Sequence, residues 1–168
     1  SSYASKLADV LYCNDRNSST SSSSVNGLGG TFQLTTYYAA YIRLITNKAP
    51  VLTCEYSSDA FTVNDSTYGN ISSTYPIGLL TADEVAMAGG LNGTSNSSYY
   101  LYDNENYWLM SPRNFSSNSA YVFYVTSSGS LSNGLVSTSY GLRPVISLVE
   151  NTHVTGDGTW NNPYLVLS

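Results

Sequence analysis

Few side chains in this sequence are of types that do bond-making chemistry, and their spacing does not bring them together. Nucleophilic catalysis needs a Ser or Cys with a base and a carboxylate in reach. His153 is the sole histidine, it sits in a polar, turn-rich segment, and no nucleophile-elbow motif is present. It reads as a solvated loop residue. Asp83 and Glu84 follow Thr81 at the spacing of a helix start, where carboxylates favour the dipole. Asp103 and Glu105 lie in a polar turn before Tyr107. They could hold Ca²⁺ with backbone carbonyls, although a solvated pair is the simpler reading. Asn14-Asp15-Arg16 reads as a local hydrogen-bonded turn. Arg143, between apolar neighbours, is expected to support structure through a buried pair or carbonyl contacts. Cys13 and Cys54 are the only cysteines. Two cysteines this far apart and one histidine do not make a zinc site. No catalytic residue, metal or cofactor is expected, and the chain is read as not an enzyme.

A different kind of chemistry is concentrated between Tyr107 and Leu148. Apolar blocks, Tyr107-Trp108-Leu109-Met110 and Leu142-Arg143-Pro144-Val145-Ile146-Ser147-Leu148, enclose a middle rich in Ser, Asn, Tyr and Gly. Tyr supplies large contact area at small rotamer cost, and Ser, Asn and Gly supply adaptable hydrogen bonds, the composition of a binding surface. Tyr99-Tyr100-Leu101-Tyr102 allows two readings, half-buried strand tyrosines or part of an aromatic binding face.

Bulk composition narrows the partners. Charged residues are 10% of the 168, so solubility must come from uncharged polar side chains, a habit of extracellular proteins. The net charge of −5 and the six dispersed basic residues exclude nucleic acid, which needs clustered Lys and Arg. No apolar run approaches the roughly 20 residues of a membrane span. A Cys13–Cys54 disulfide would close a long loop and point to an oxidising compartment; two buried thiols are the alternative, and the Lys-poor, Ser/Tyr-rich composition favours the disulfide.

The length suits one domain, residues 1–168. A short helix is expected within Ala4–Tyr12, a serine tract at Asn17–Ser24 and a loop at Val25–Gly30. Thr36–Thr46 carries both helical spacing and strand composition, and leans to helix. Val51–Cys54 and Phe61–Val63 read as short strands. Thr81-Ala82-Asp83-Glu84 is a capping box opening a helix that Gly89-Gly90 ends. Ile77–Leu80, before it, is apolar strand or turn. Strands are expected at Tyr99–Tyr102, Ala120–Val125, Leu135–Ser139, Leu142–Val149 and Tyr164–Leu167. Turns fall at Ser127–Ser130 and Gly156–Gly158, and Pro144 implies an edge or a bulge.

Tyr107-Trp108-Leu109-Met110-Ser111-Pro112, the Ser/Asn/Tyr-rich middle and Gly141-Leu142-Arg143-Pro144-Val145 resemble the C-terminal half of C-type-lectin-fold domains of the formylglycine-generating-enzyme type. That group includes the variable proteins of diversity-generating retroelements. Ile77–Gly90 and Tyr12–Arg16 also look like elements of bacterial surface or prepilin-like proteins. The resemblance covers about 75–148 well and 1–50, the helical and loop part, loosely. It implies an α+β, C-type-lectin-like mixed fold of short strands and two or three helices. It further implies that Arg113, Asn114, Ser116, Ser117, Asn118, Ser119, Tyr121, Ser132, Asn133, Ser137, Ser139 and Tyr140 vary and bind ligand, with Trp108, Phe123, Val145 and Ile146 as scaffold. The reactive late cysteines of the enzymes are missing, as are the Glu-Pro-Asn and Trp-Asn-Asp motifs of calcium-dependent sugar lectins, so neither activity is carried over.

The function expected is ligand recognition without catalysis, at a cell surface or on a virion. The ligand would be a protein or glycan on another cell or phage. A structural pilus or surface-layer subunit, packing through a Tyr/Ser-rich face, is the alternative.

Overall fold

Alternation along Tyr107–Ser116 organises the fold. Tyr107, Leu109 and Ser111 are buried while Trp108, Met110 and Pro112 are only half-buried, the period-two signature of a strand with one face on a core. A computed structural model describes residues 2–17, 35–61, 63, 74–116, 118–159 and 161–167. Apart from Asn17, the serine tract and the loop after it lie outside the described residues, as does Ser117.

Strand β5 (Tyr107–Ser116) sits second in a four-stranded antiparallel sheet of order β2-β5-β6-β7, with β2 at Thr35–Tyr37, β6 at Ser119–Val125 and β7 at Leu131–Leu135. Thr126–Ser130 turns β6 into β7: the Gly129 amide donates to the Thr126 carbonyl, and the Thr126 amide to that of Ser130. Gly129 has φ 78°, and the Asn96 carbonyl occupies the space a side chain would need. Pro112 cannot donate to a ladder, yet it lies in an inner strand. The register slips around it, between Trp108 and Asn114, so that a bulge absorbs the missing donor.

Smaller pairs frame the sheet: β1 (Tyr12–Cys13) with β3 (Ala60–Phe61), β4 (Gly78–Leu79) with β8 (Pro144–Val145), and β9 (Val154–Thr155) with β10 (Leu165–Val166). Helix α1 (Ala39–Tyr41) runs on as a π-helical segment, Ile42–Asn47. Helix α2 (Ala82–Ala88) starts as its sequence predicts: Glu84 N–H donates to Thr81 Oγ1, and the Thr81 amide donates to the Glu84 carboxylate. α2 packs on the inner face of the sheet, where Ala82 N–H donates to the buried Ser111 hydroxyl at 3.0 Å. Ala40, Ala82, Val85, Tyr99, Leu101, Tyr107, Leu109, Phe123, Val125 and Leu131 form the core. The whole is a small α+β fold.

Cys13 and Cys54 are bonded, with 5.5 Å between their Cα atoms. Other expectations give way to long-range pairing. The N-terminal helix is a 3₁₀ turn at Ser2–Lys6, because Leu7 and Tyr12–Cys13 are drawn into bridges with Leu148 and β3. Thr36–Thr46 divides: its β-branched front pairs with Asn114–Ser116, and the helix begins only at Ala39. Val51–Cys54 is not a strand, and the Phe61–Val63 expectation survives at Ala60–Phe61, residue 62 lying outside the described residues. Tyr99–Tyr102 is a turn, closed by the Tyr102 amide on the Tyr99 carbonyl. Its alternation reflects Tyr99 and Leu101 dipping into the core. β7 lies four residues earlier than Leu135–Ser139, because Leu131 is the residue that reaches Val125 and the core. Leu142–Val149 keeps a strand only at Pro144–Val145, an edge pairing with Gly78–Leu79.

Candidate recognition surface

The sheet has one face on the core and one facing away from it. Strand parity puts Trp108, Met110 and Pro112 of β5, Val122 and Tyr124 of β6, and Ser132 and Gly134 of β7 on the outer face. Three aromatic rings meet there. Trp108 and Tyr124 are edge to face at 5.9 Å, Trp108 and Tyr140 are tilted at 4.8 Å, and Tyr124 and Tyr140 stack at 4.5 Å. These are favourable aromatic geometries. Gly134 allows the approach: a Cβ there would stand 2.8 Å from the Trp108 ring and 3.0 Å from that of Tyr140. A hydrogen bond with Tyr124, then burial, raises the Tyr140 phenol above its ordinary range. No formal charge lies among these outer-face residues, so the patch suits apolar rings and uncharged hydrogen-bonding groups, not ions.

The residues expected to form one binding surface do not share a face. Ser132 and Tyr140 lie on the outer face with Trp108, and exposed Ser137 and Ser139 lie on the connection between them. Ser116, Asn118 and Ser119 mark the β5–β6 hairpin, where Ser116 Oγ is 2.8 Å from Thr35 Oγ1. Tyr121 and Asn133 share the parity of Phe123, on the inner side. Asn114 is a correction: it is buried, its amide oxygen accepting from Arg113, and presents no side chain to solvent. Arg113 turns inward at the bulge, its guanidinium 4.8 Å over Tyr41 and 6.0 Å from Phe123. Burial lowers its pKa, partly opposed by Tyr41 and Tyr37.

Trp108, expected as scaffold, is instead a member of the outer cluster, together with Tyr124 and Gly134. The signal was present in the alternation: Tyr124 has the opposite parity to Phe123, and Trp108 the opposite parity to Tyr107.

A second cluster, this one charged, has no counterpart in the sequence reading. Arg43 lies between Asp15 and Asp83, with Nη2 2.8 Å from Asp83 Oδ2, Nε 2.9 Å from Asp83 Oδ1 and Nη1 3.2 Å from Asp15 Oδ1. Asp83 also accepts from the Val51 amide at 2.9 Å. So Asp83 does more than open a helix, and Asp15, at φ 53° and 4% exposed, is not a local turn. Burial pushes the Asp15 carboxyl up, more than the hydrogen bond and charge of Arg43 pull it down. Burial disfavours the Arg43 cation, but the hydrogen bonds and charges of Asp83 and Asp15 outweigh this and hold it protonated. One guanidinium serves two buried carboxylates, and the exposed Glu55 carboxylate lies 4.0 Å from its Nη1. The cluster lines a cavity of about 90 Å³ beside the disulfide, and its donors are consumed internally, so it is read as structural.

Arg143 behaves as expected: it donates to the Leu101 carbonyl at 2.7 Å, lies 4.8 Å over Tyr107 and reaches Asp103 at 3.5 Å. That draws Asp103 to a cation, and among the described residues no three His, Cys, Asp or Glu side chains gather as a metal site. His153 is exposed.

Residues 78–150, from β4 to just past β8, match a family described as a domain of unknown function (DUF6273). No curated protein and no solved structure matches the chain.

Proposed function

We propose that this chain is a non-enzymatic recognition domain of an extracellular or surface protein, and that it binds ligand through the outer face of the sheet. The observation that carries this reading is the Trp108–Tyr124–Tyr140 cluster, an uncharged aromatic patch on the sheet face away from the core. Amphipathic rings flanked by Ser132, Ser137 and Ser139 offer contact area and adaptable hydrogen bonds together. The ligand class is a protein or glycan on another cell or phage. A C-type-lectin-like scaffold, with retroelement-driven variation at Ser132, Ser137, Ser139 and Tyr140, is the finer form of the proposal; it rests on the resemblance of Tyr107–Pro112 and Gly141–Val145. The disulfide supports an oxidising location.

The test is binding of fluorescently labelled chain to panels of bacterial cells and immobilised glycans. Tyr140→Ala and Trp108→Ala are compared at matched far-UV CD. Loss of about tenfold or more in affinity for a target is the expected result. Unchanged binding by both variants overturns this face as the site.

The structural-subunit reading has one observation of its own. Leu142, Ile146, Tyr164 and Leu165 are exposed in the C-terminal part of the chain. Concentration-dependent assembly in sedimentation velocity, abolished by Leu165→Glu, would favour it over recognition by a monomer.

A further inference from the structure

On the core side of the sheet, away from the aromatic patch, lies a pocket of about 310 Å³. Leu44, Ile45, Lys48 and Pro50 come from the end of the π-helical segment and the chain after it, Ala86 and Gly90 from the end of α2, and Leu131 from β7. At roughly 30 Å³ for each small liquid-packed group, this holds about ten non-hydrogen atoms. Its size and its apolar lining with few polar groups are those of a small-molecule site.

Two observations bear on what would fill it. Lys48 is the only formal charge in the lining and forms no ion pair among the described residues. Three carbonyls at the end of α2, which would otherwise favour a cation, are occupied: Ala86 and Val85 accept from Gly89 and Gly90, and Gly89 accepts from Asn96 Nδ2 at 2.9 Å. The π-helical stretch that carries Leu44 and Ile45 to the pocket is of a kind found frequently at functional sites.

We propose that this pocket binds a small apolar carboxylate, such as a medium-chain fatty acid, with the anion paired to Lys48 and the apolar body between Leu44, Ile45, Leu91 and Leu131. The site is independent of the outer aromatic face and does not need it to be a recognition surface.

Sodium octanoate, 1-octanol and octylammonium, titrated into ¹⁵N-labelled whole chain and followed by ¹H–¹⁵N correlation spectra, make the test. Octanoate is expected to shift the Leu44, Ile45, Leu91 and Leu131 amides saturably, with a dissociation constant of about 1 mM or tighter. Lys48→Gln, on the exposed side, is expected to weaken octanoate about tenfold and leave 1-octanol unchanged. Octylammonium is expected to bind more weakly than octanoate. No saturable shift, shifts located elsewhere, octylammonium matching octanoate, or octanoate binding unchanged by Lys48→Gln would each overturn the proposal.

Discussion

Among the described residues Arg43 is the only cation between Asp15 and Asp83, both almost fully buried, so replacing it strands two carboxylates as well as removing one side chain. Breaking a buried pair by removing one partner costs about 3–5 kcal/mol. Arg43→Met is expected to lower stability by that amount in urea unfolding at neutral pH, and by less in acid, where Asp15 takes up a proton. Asp15 adds a pH dependence whose sign follows from its shift. Its pKa is raised above the ordinary 3.8, chiefly by burial. The folded chain therefore holds a proton that the unfolded chain has released, across the window between the two values. That contribution to stability is fully present below about 3.8 and is lost as pH rises through the raised value. Relative to wild type, Asp15→Asn should gain stability across this window, read from urea midpoints at a series of pH values; a flat difference would remove Asp15 as the titrating group. At Gly134 the constraint is steric. Gly134→Ala brings a methyl group to within 2.8 Å of the Trp108 ring and 3.0 Å of Tyr140. The rings must move, so near-UV CD and tryptophan emission should change while far-UV CD is kept.

Helix α2 shows what is readable when the determinants are local. Thr81 and Glu84 satisfy each other's backbone amides within four residues, Gly89-Gly90 end the helix, and no distant partner is needed. Thr81→Ala is expected to cost about 1 kcal/mol in thermal or urea unfolding. Glu84→Gln, which retains an acceptor, should cost less. β6 was legible for the same reason, its alternation of Tyr121, Phe123 and Val125 against Val122 and Tyr124 needing only a strand with one buried face. The N-terminal helix and the position of β7 were not, because pairing with Leu148, β3 and β6 outweighs weak local preference. Within the candidate site, Ser132 and Tyr140, named from the resemblance, lie on the outer face with Trp108. Arg113 and Asn114 were misplaced because the bulge around Pro112 shifts register, and composition carries no information about register. The Asp15–Arg43–Asp83 cluster joins residues 28 and 40 positions apart, and no motif announces such a contact.

At the scale of the whole molecule, Cys13–Cys54 ties β1 to the chain that follows the π-helical segment, closing a separation of 41 residues. In the chain-entropy account such a cross-link stabilises the folded state by about 4 kcal/mol, by restricting the unfolded chain. Domains of this kind have a net stability of about 5–15 kcal/mol, so the bond would supply a large part of it. The bond also bears on the charged cluster, because Asp15 follows Cys13 by two residues and the Asp83 carboxylate accepts from Val51, three residues before Cys54. Reduction frees both approaches to Arg43 at once. Dithiothreitol, or the paired change Cys13→Ser with Cys54→Ser, is therefore expected to lower the urea midpoint substantially and to raise the slope of the transition, since the released chain exposes more surface on unfolding. Combined with Arg43→Met, the loss should be smaller than the sum of the separate losses, because contacting sites are not additive. Strict additivity in that double-mutant comparison would mean that the disulfide and the ion cluster act independently. The cluster would then be held in place by α1, α2 and the sheet alone.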